Sequence, residues 1–448
     1  MVLPIAGSFA VLSPSELAAT LPNLIYAIAL IVVSALWGAR FLGLGVGACF
    51  ALLVATSPSL VLQPLEIEVR GPELFFSVTA LWLLTTALDH HDGAKRLFLA
   101  GLFAGAAWLC REVAGYLLPT FVLAALLFAT KSQRLSAAVI PAVSFGIVIL
   151  AEITLYWFAS GDPLYRYRID LGHADNRSGT EFAPLFNQSE QQETSPIEPL
   201  VQHLTEPLLQ HLTEPTTGPM IVIAGLALLI VSIGFRSISI SARRALGVFS
   251  IGTAMSYLLS SIVLNLEKPN YFPLLSYWAL LLISIAIGLV WQWGHRRLPA
   301  LTMVSLLVAG PLFAGLGERY EIDYYRYAVS IAKTEEDPLV TPFRVRERAT
   351  LLLRLEGWSQ LEAEREFASH ETPNGGTVAL RPGLQYLEGD FVLGDEWVPV
   401  EEWRPSDLVW QHRLLQGFEG TIPLPTQLER LITPPPAVLF GLIEADAQ

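Results

Sequence analysis

Few positions in this chain combine an ionisable side chain with apolar flanks, and those few must carry whatever chemistry the molecule performs. Glu66, Glu68, Arg70 and Glu73 lie in the segment Leu65–Glu73, directly ahead of Leu74-Phe75-Phe76. Arg111 and Glu112 alone interrupt the apolar stretch from Leu97 to Thr130. Glu152 stands in an otherwise apolar run, and Asn265-Leu266-Glu267-Lys268-Pro269-Asn270-Tyr271-Phe272 reads as a tight turn. Charge beside a hydrocarbon layer is costly and tends to be kept for function. Arg70, Arg111 and Lys268 put isolated cations at one face of three different hairpins, the arrangement that would hold a lipid-linked phosphate or pyrophosphate at a membrane surface. Plainer readings stand beside this one. Arg111 and Glu112 can pair with each other, Lys268 can snorkel to headgroups, and Glu152 is expected to serve its own helix. His90 and His91, in Asp89-His90-His91-Asp92-Gly93, read as a solvated turn.

The elements that hold these residues are apolar. Of 448 residues, 52% are hydrophobic and only 15% charged, against about 25% charged in an ordinary soluble domain, which excludes a water-soluble enzyme. The net charge of −13 leaves no basic excess for a nucleic-acid backbone. Cys49 and Cys110 are too few for a disulfide framework and lack metal-site spacing. Apolar runs recur at Leu21–Trp37, Leu42–Leu62, Leu74–Leu88, Leu97–Cys110, Ala114–Thr130, Leu135–Phe158, Met220–Phe235, Ala245–Leu264, Phe272–Trp293 and Leu298–Leu316. These are lengths for helices spanning a core of about 30 Å. The fold class expected is an α-helical polytopic membrane protein of about ten transmembrane helices, with a small C-terminal α+β soluble domain. Orientation follows from Lys and Arg, which cytoplasmic loops retain. With the N-terminus outside, the inside loops gather Arg40, Lys95, Arg96, Lys131, Arg134, Arg236, Arg243, Arg244, Arg296 and Arg297, while six basic residues spread over the much longer outside loops. The first helix lacks the basic flank of an export signal.

The domains expected are a remnant of an outer loop over 1–20, a transmembrane domain over 21–316 with an outer loop at 159–218, and an acidic extracytoplasmic domain over 317–448. From Glu318 onward, 23 acidic residues face 12 basic ones, a net of −11, so nearly all the negative balance sits there. Helical patterns from Tyr320 and over Val345–Phe367 precede short strands at Thr377–Leu380, Phe391–Leu393 and Trp397–Val400. In the outer loop, Gln-His-Leu-Thr-Glu-Pro occurs at Gln202–Pro207 and again at Gln210–Pro215. His203, His211, Glu206 and Glu214 suit zinc by type, but a tandem duplication explains the repeat more cheaply. Asn176 and Asn187 head short glycosylation-type motifs that are frequent by chance.

Several segments in order carry a resemblance. Ser13-Pro14-Ser15-Glu16-Leu17-Ala18-Ala19-Thr20-Leu21-Pro22-Asn23, then Ser57-Pro58, then Glu73 before Phe75-Phe76, resemble the second to fourth helices of the GT-C membrane glycosyltransferases. The similarity is narrower to their protein-mannosyltransferase-like branch, which includes the aminoarabinose transferases. The run from Gly101 to Glu112 resembles that branch's Gly-rich helix ending in a basic–acidic pair, and Leu117-Leu118-Pro119 continues it. Gly161-Asp162-Pro163-Leu164-Tyr165 resembles its periplasmic loop entry, and Asn270-Tyr271-Phe272-Pro273 its Arg-Tyr-Leu-Pro turn with Asn in place of Arg. The similarity spans roughly residues 4 to 316.

The resemblance implies transfer of a sugar from a polyprenyl-phosphate carrier to an acceptor on the non-cytoplasmic face, in the cell (inner) membrane. Arg70, Arg111, Glu112, Lys268 and Tyr271 are then the substrate-binding residues. The partners implied are the lipid-linked donor and membrane lipid; no cofactor is expected, with a divalent cation left open. It also implies a further helix and a loop bearing the catalytic acid ahead of Met1, so the chain as written is expected to be silent; failing that, Glu73 is the carboxylate that matches an acidic family position. A non-catalytic scaffold of the same fold and a secondary transporter are the alternatives, the second disfavoured because the charges gather at one face rather than near mid-bilayer.

Overall fold

The structure is a computed structural model in which residues 2–57, 60, 69–89, 93–166, 168, 205–209, 212, 218–263, 272–292, 321–335, 337–368, 378–381, 393, 397–403 and 436–442 are described. The chain divides into two compact units, one over residues 22–311 and one comprising 2–21 with 312–448. Where the sequence led to an outer-loop remnant, Val2–Leu12 forms helix α1. Pro4 falls in its first turn, where a missing N–H costs nothing.

The larger unit is a helical bundle. Its helices are α2 (Glu16–Leu42), α3 (Leu44–Thr56), α4 (Arg70–Asp89), α5 (Ala94–Cys110), α6 (Leu117–Phe128), α7 (Arg134–Ser160), α8 (Gly218–Gly234), α9 (Ile240–Leu258) and α10 (Pro273–Gln292). They coincide with the first nine apolar runs of the sequence; the tenth, Leu298–Leu316, lies outside the described residues. Among the described residues, helices over Leu17–Leu42, Arg70–Asp89, Arg134–Ser160, Met220–Ser237 and Pro273–Gln292 are long and apolar enough to cross a membrane. The chain is therefore a mostly helical, polytopic membrane protein with a small C-terminal sheet region.

Burial sorts the helices. The span in α4 is 83% buried and that in α10 78%, whereas the span in α7 is only 22% buried and shows its apolar side chains to the surroundings. A helix enclosed on all sides must satisfy its polar atoms internally. Thr79, Thr85 and Thr86 of α4 each donate to the carbonyl four residues back. At mid-bundle, Trp82 Nε1 donates to Tyr277 Oη at 3.0 Å, Tyr277 shares a 2.9 Å hydrogen bond with Ser34, and Ser34 donates to the Leu30 carbonyl at 2.7 Å. Such a closed relay lets polar groups sit in an apolar core without penalty. Trp37, Phe41 and Phe249 pack around Trp82. The α5–α7 contact is closer than ordinary side chains allow. A Cβ on Gly101 would collide with the Ser144 hydroxyl and the Pro141 carbonyl, and one on Gly105 would lie 2.6 Å from Val148 Cβ.

The smaller unit holds α11 (Glu321–Ala332), α12 (Phe343–Leu355), α13 (Gln360–Arg365) and strands β1 (Leu339–Val340), β2 (Phe367–Ala368), β3 (Val378–Arg381), β4 (Trp397–Trp403) and β5 (Ala437–Leu442). The sheet order is β2-β1-β3-β5-β4, with β1 parallel to β2 and β3, and β5 antiparallel to β3 and β4. Tyr324, Val345, Leu353, Phe367 and Leu380 fill its core, and Trp403 stacks on Tyr327 with ring centres 4.3 Å apart.

Candidate functional site

One group of charged residues lies at the end of the bundle where α4 begins and α5 and α7 finish. Glu73 lies in the first turn of α4, where the helix dipole favours a carboxylate. It is only 4% exposed. Ser77, one turn on, donates to Glu73 Oε1 at 3.3 Å. The charge of Arg111 acts on this carboxylate most strongly among the cations, and that of Arg70 after it. Arg111 reaches the site because it ends α5: its φ of −154° and ψ of 136° are extended, and the chain resumes as a 3-10 turn over Glu112–Tyr116 before α6. The hairpin of two short helices with a charged turn between them, expected from the sequence, is present.

Glu112 also has a partner much farther along the chain. It forms an ion pair with Arg166, which also donates to Glu152 Oε1 at 2.7 Å. Arg166 comes back to this place through a defined turn. α7 is closed by Gly161 in the left-handed conformation, φ +73°, and Asp162 Oδ1 accepts the Leu164 N–H at 3.0 Å. Arg166 further donates to the Trp108 and Leu109 carbonyls, each at 3.2 Å. These belong to the last turn of α5, whose carbonyls lack partners within the helix and which a cation stabilises. Burial weighs against the Arg166 charge, yet the hydrogen bond to Glu152 and the Glu112 carboxylate outweigh it and hold the guanidinium above its ordinary value. Glu152, placed by the sequence in a structural role within its helix, is the buried end of this network.

Of the residues singled out from the sequence, Arg70, Glu73, Arg111 and Glu112 converge at this end of the bundle. Lys268, Tyr271, Glu66 and Glu68 lie outside the described residues, as do His203, His211 and Glu214. Arg166 as the partner of two carboxylates was not foreseen; a lone Glu152 in an apolar helix demanded a cation, and Arg166 follows a helix-ending Gly-Asp-Pro. Among the described residues, no group of three or more His, Cys, Asp or Glu side chains could hold a metal ion.

Residues 1–157 match the family model of the dolichyl-phosphate-mannose-protein mannosyltransferases. That stretch contains Arg70, Glu73, Arg111, Glu112 and Glu152 and stops short of Arg166. It supports the GT-C resemblance read from the residues. No curated protein matches the sequence. Among solved structures, the chain aligns over its whole length with 88% of ArnT from Cupriavidus metallidurans, at 13% identity in both forms. The TM-score is 0.48 for the apo state and 0.49 for the form bound to undecaprenyl phosphate. It also aligns over 79% of its length with the Archaeoglobus fulgidus oligosaccharyltransferase complexed with Zn and sulfate, at 13% identity and a TM-score of 0.45. The chain spans half the length of that oligosaccharyltransferase.

Proposed function

We propose that this protein is a membrane glycosyltransferase that takes a sugar from a polyprenyl-phosphate carrier and gives it to an acceptor on the non-cytoplasmic face of the cell membrane. The observation that carries this reading is the buried Glu73 carboxylate in the field of Arg111 and Arg70, inside the stretch that matches the family. In the reaction an acceptor oxygen bonds to the anomeric carbon as the bond from that carbon to the carrier phosphate breaks. The departing phosphate gathers negative charge, which fixed guanidinium groups stabilise. The acceptor proton needs a base within hydrogen-bond reach; the resemblance sets the usual acid ahead of Met1, and within this chain the fallback for the role is Glu73, which accepts a hydrogen bond from Ser77. Arg70, Arg111, Glu112, Lys268 and Tyr271 are the binding residues of the proposal, the last two from the segment outside the described residues. No resident cofactor enters it.

The test separates binding from transfer. In the purified protein, Arg111→Ala should lower affinity for a polyprenyl phosphate by about 10- to 150-fold, the loss of one charged hydrogen bond. Glu73→Gln should keep carrier binding and lower transfer by about 10²–10⁴-fold. A parent that neither binds carrier nor transfers sugar would overturn the reading in favour of a non-catalytic scaffold.

A further inference from the structure

The buried hydroxyls of the bundle fall into two groups. Thr79, Thr85 and Thr120 each donate to the carbonyl one turn back in their own helices. Thr253 of α9 and Ser260 just beyond it do not. Both are buried, at 7% and 0% exposure, and neither Thr253 Oγ1 nor Ser260 Oγ finds a hydrogen-bond partner among the described residues. A hydroxyl taken out of water without a partner is unfavourable, the more so in a low-dielectric interior. Ser260 also lies in an unusual piece of backbone, because α9 continues as a π-helical turn over Leu259–Val263. Such turns are rare and frequent at functional sites.

Phe249, Thr253, Ser256 and Ser260 recur at the spacing of one helix face. Phe249 fixes where that face looks, since its ring packs on Trp82 and Tyr277 inside the bundle. α9 runs antiparallel to α4: Arg244 meets Asp89 at the far end of α4, and Phe249 meets Trp82 further back. Carried on for about three turns at about 1.5 Å per residue, this register brings Ser260 level with the first turn of α4, which holds Glu73. The π-helical turn packs against the 3-10 turn of Glu112–Tyr116 at the same end. The stripe from Ser260 to Thr253 thus runs inward from the charged end, and no residue between them is charged.

We propose that this stripe of α9 seats the sugar of the lipid-linked donor, with Thr253 and Ser260 hydrogen-bonding its ring hydroxyls. This rests on the reading of the protein as a polyprenyl-phosphate glycosyltransferase, and it adds the residues that hold the sugar. The phosphate is the charged part of such a donor and suits guanidinium groups; the sugar is its neutral, hydroxyl-bearing part. A sugar hydroxyl both donates and accepts, so it satisfies Ser260 or Thr253 without a counter-charge. Seven positions separate the two side chains, about 10 Å along the axis, a gap that a sugar ring bridges with one hydrogen bond at each side.

Binding is measured in detergent on the parent, Ser260→Ala and Thr253→Val, and thermal midpoints are taken without ligand. The probes are undecaprenyl phosphate and a panel of polyprenyl phosphates bearing a hexose, an N-acetylhexosamine or a pentose. The parent should bind at least one sugar-bearing carrier more tightly than the bare one. Each substitution should weaken that binding by about 3- to 10-fold, the loss of one neutral hydrogen bond, and leave undecaprenyl phosphate within about twofold of the parent. Without ligand both variants should melt no lower than the parent, because each removes a hydroxyl that nothing satisfies. Lower midpoints with unchanged sugar affinity would make the hydroxyls structural and overturn the proposal. Variants that keep the parental preference, or that lose bare and sugar-bearing carriers alike, would overturn it too. If one variant fails to fold the other decides, and failure of both counts against the proposal as lower midpoints do. A parent that binds the bare carrier but prefers no sugar-bearing one would remove this inference and leave the carrier reading standing. A parent that binds neither would remove both.

Discussion

Residues at two places in the molecule show how a single hydrogen-bonded carboxylate sets local behaviour. Glu362 closes a capping box at the start of α13: Ser359 Oγ accepts the Glu362 N–H at 3.2 Å, and the Glu362 carboxylate accepts the Ser359 N–H at 2.9 Å. These bonds favour the ionised form and hold its carboxyl below the ordinary value of 4.5. A depressed folded value means that the stabilisation is complete above the unfolded range and is lost as pH falls through the folded value. Protection of the α13 amides, measured against their intrinsic exchange rates, should therefore fall as the pH is taken below about 4.5, while Glu362→Gln, which can keep the cap without ionising, should show no such step. Parallel profiles in the two proteins would remove the cap from the explanation. At the bundle site the same kind of reasoning was only partly open to the sequence. Arg111 and Glu112 stood out because nothing else polar interrupts Leu97–Thr130, and that placed the charged turn. The partner of Glu112 was hidden, because Arg166 lies 54 positions on and reaches it only through the left-handed turn at Gly161.

Elements, by contrast, were legible wherever a long apolar run left one solution. The helices of the bundle follow the hydropathy of the chain, and β3 and β4 follow the turn residues around them. β5 was missed because it directly follows Thr433-Pro434-Pro435-Pro436 and is apolar throughout, with no alternation to mark it. Its place between β3 and β4 explains the composition: a strand paired on both sides has no edge to protect. Which helices touch was hidden too, except at Gly101 and Gly105. That pair brings α5 against the Pro141–Val148 face of α7, the small-residue contact by which membrane helices approach closely. Gly101→Ala should destabilise the bundle by about 1–3 kcal/mol, since the colliding atoms include the Pro141 backbone and cannot move aside. Gly146→Ala, with open space around it, should stay within about 0.5 kcal/mol of the parent. Equal effects in unfolding measurements in mixed micelles would mean that the α5–α7 contact is looser than described.

The whole molecule has a polarity written in its charges. α4 carries Glu73 at one end and Asp89 at the other, and Asp89 is met by Arg244 of α9, which also donates to the Leu88 carbonyl at 3.1 Å. The basic loops lie toward the Asp89 end, so the positive-inside tendency predicts that this end is cytoplasmic. Reporter fusions at Gln133 and Ser239 should then score cytoplasmic, and fusions at Gln188 and after Gln448 non-cytoplasmic. A cytoplasmic score after Gln448 would invert the assignment for the C-terminal region. That part of the reading was available from the sequence because insertion responds to charge density, which needs no tertiary information.

The ion-pair network around Arg166 also has a consequence for recombination between relatives. Both carboxylates, Glu112 and Glu152, come from the stretch that matches the mannosyltransferase family, whereas their cation comes from beyond its last matched residue. A chimera joined at that boundary would inherit two acids from one parent and depend on the other parent for their counter-charge. Exchange of the loop after α7 is thus constrained by Glu112 and Glu152, and a foreign loop without an arginine at this spot would be accepted most readily alongside neutral residues at both positions.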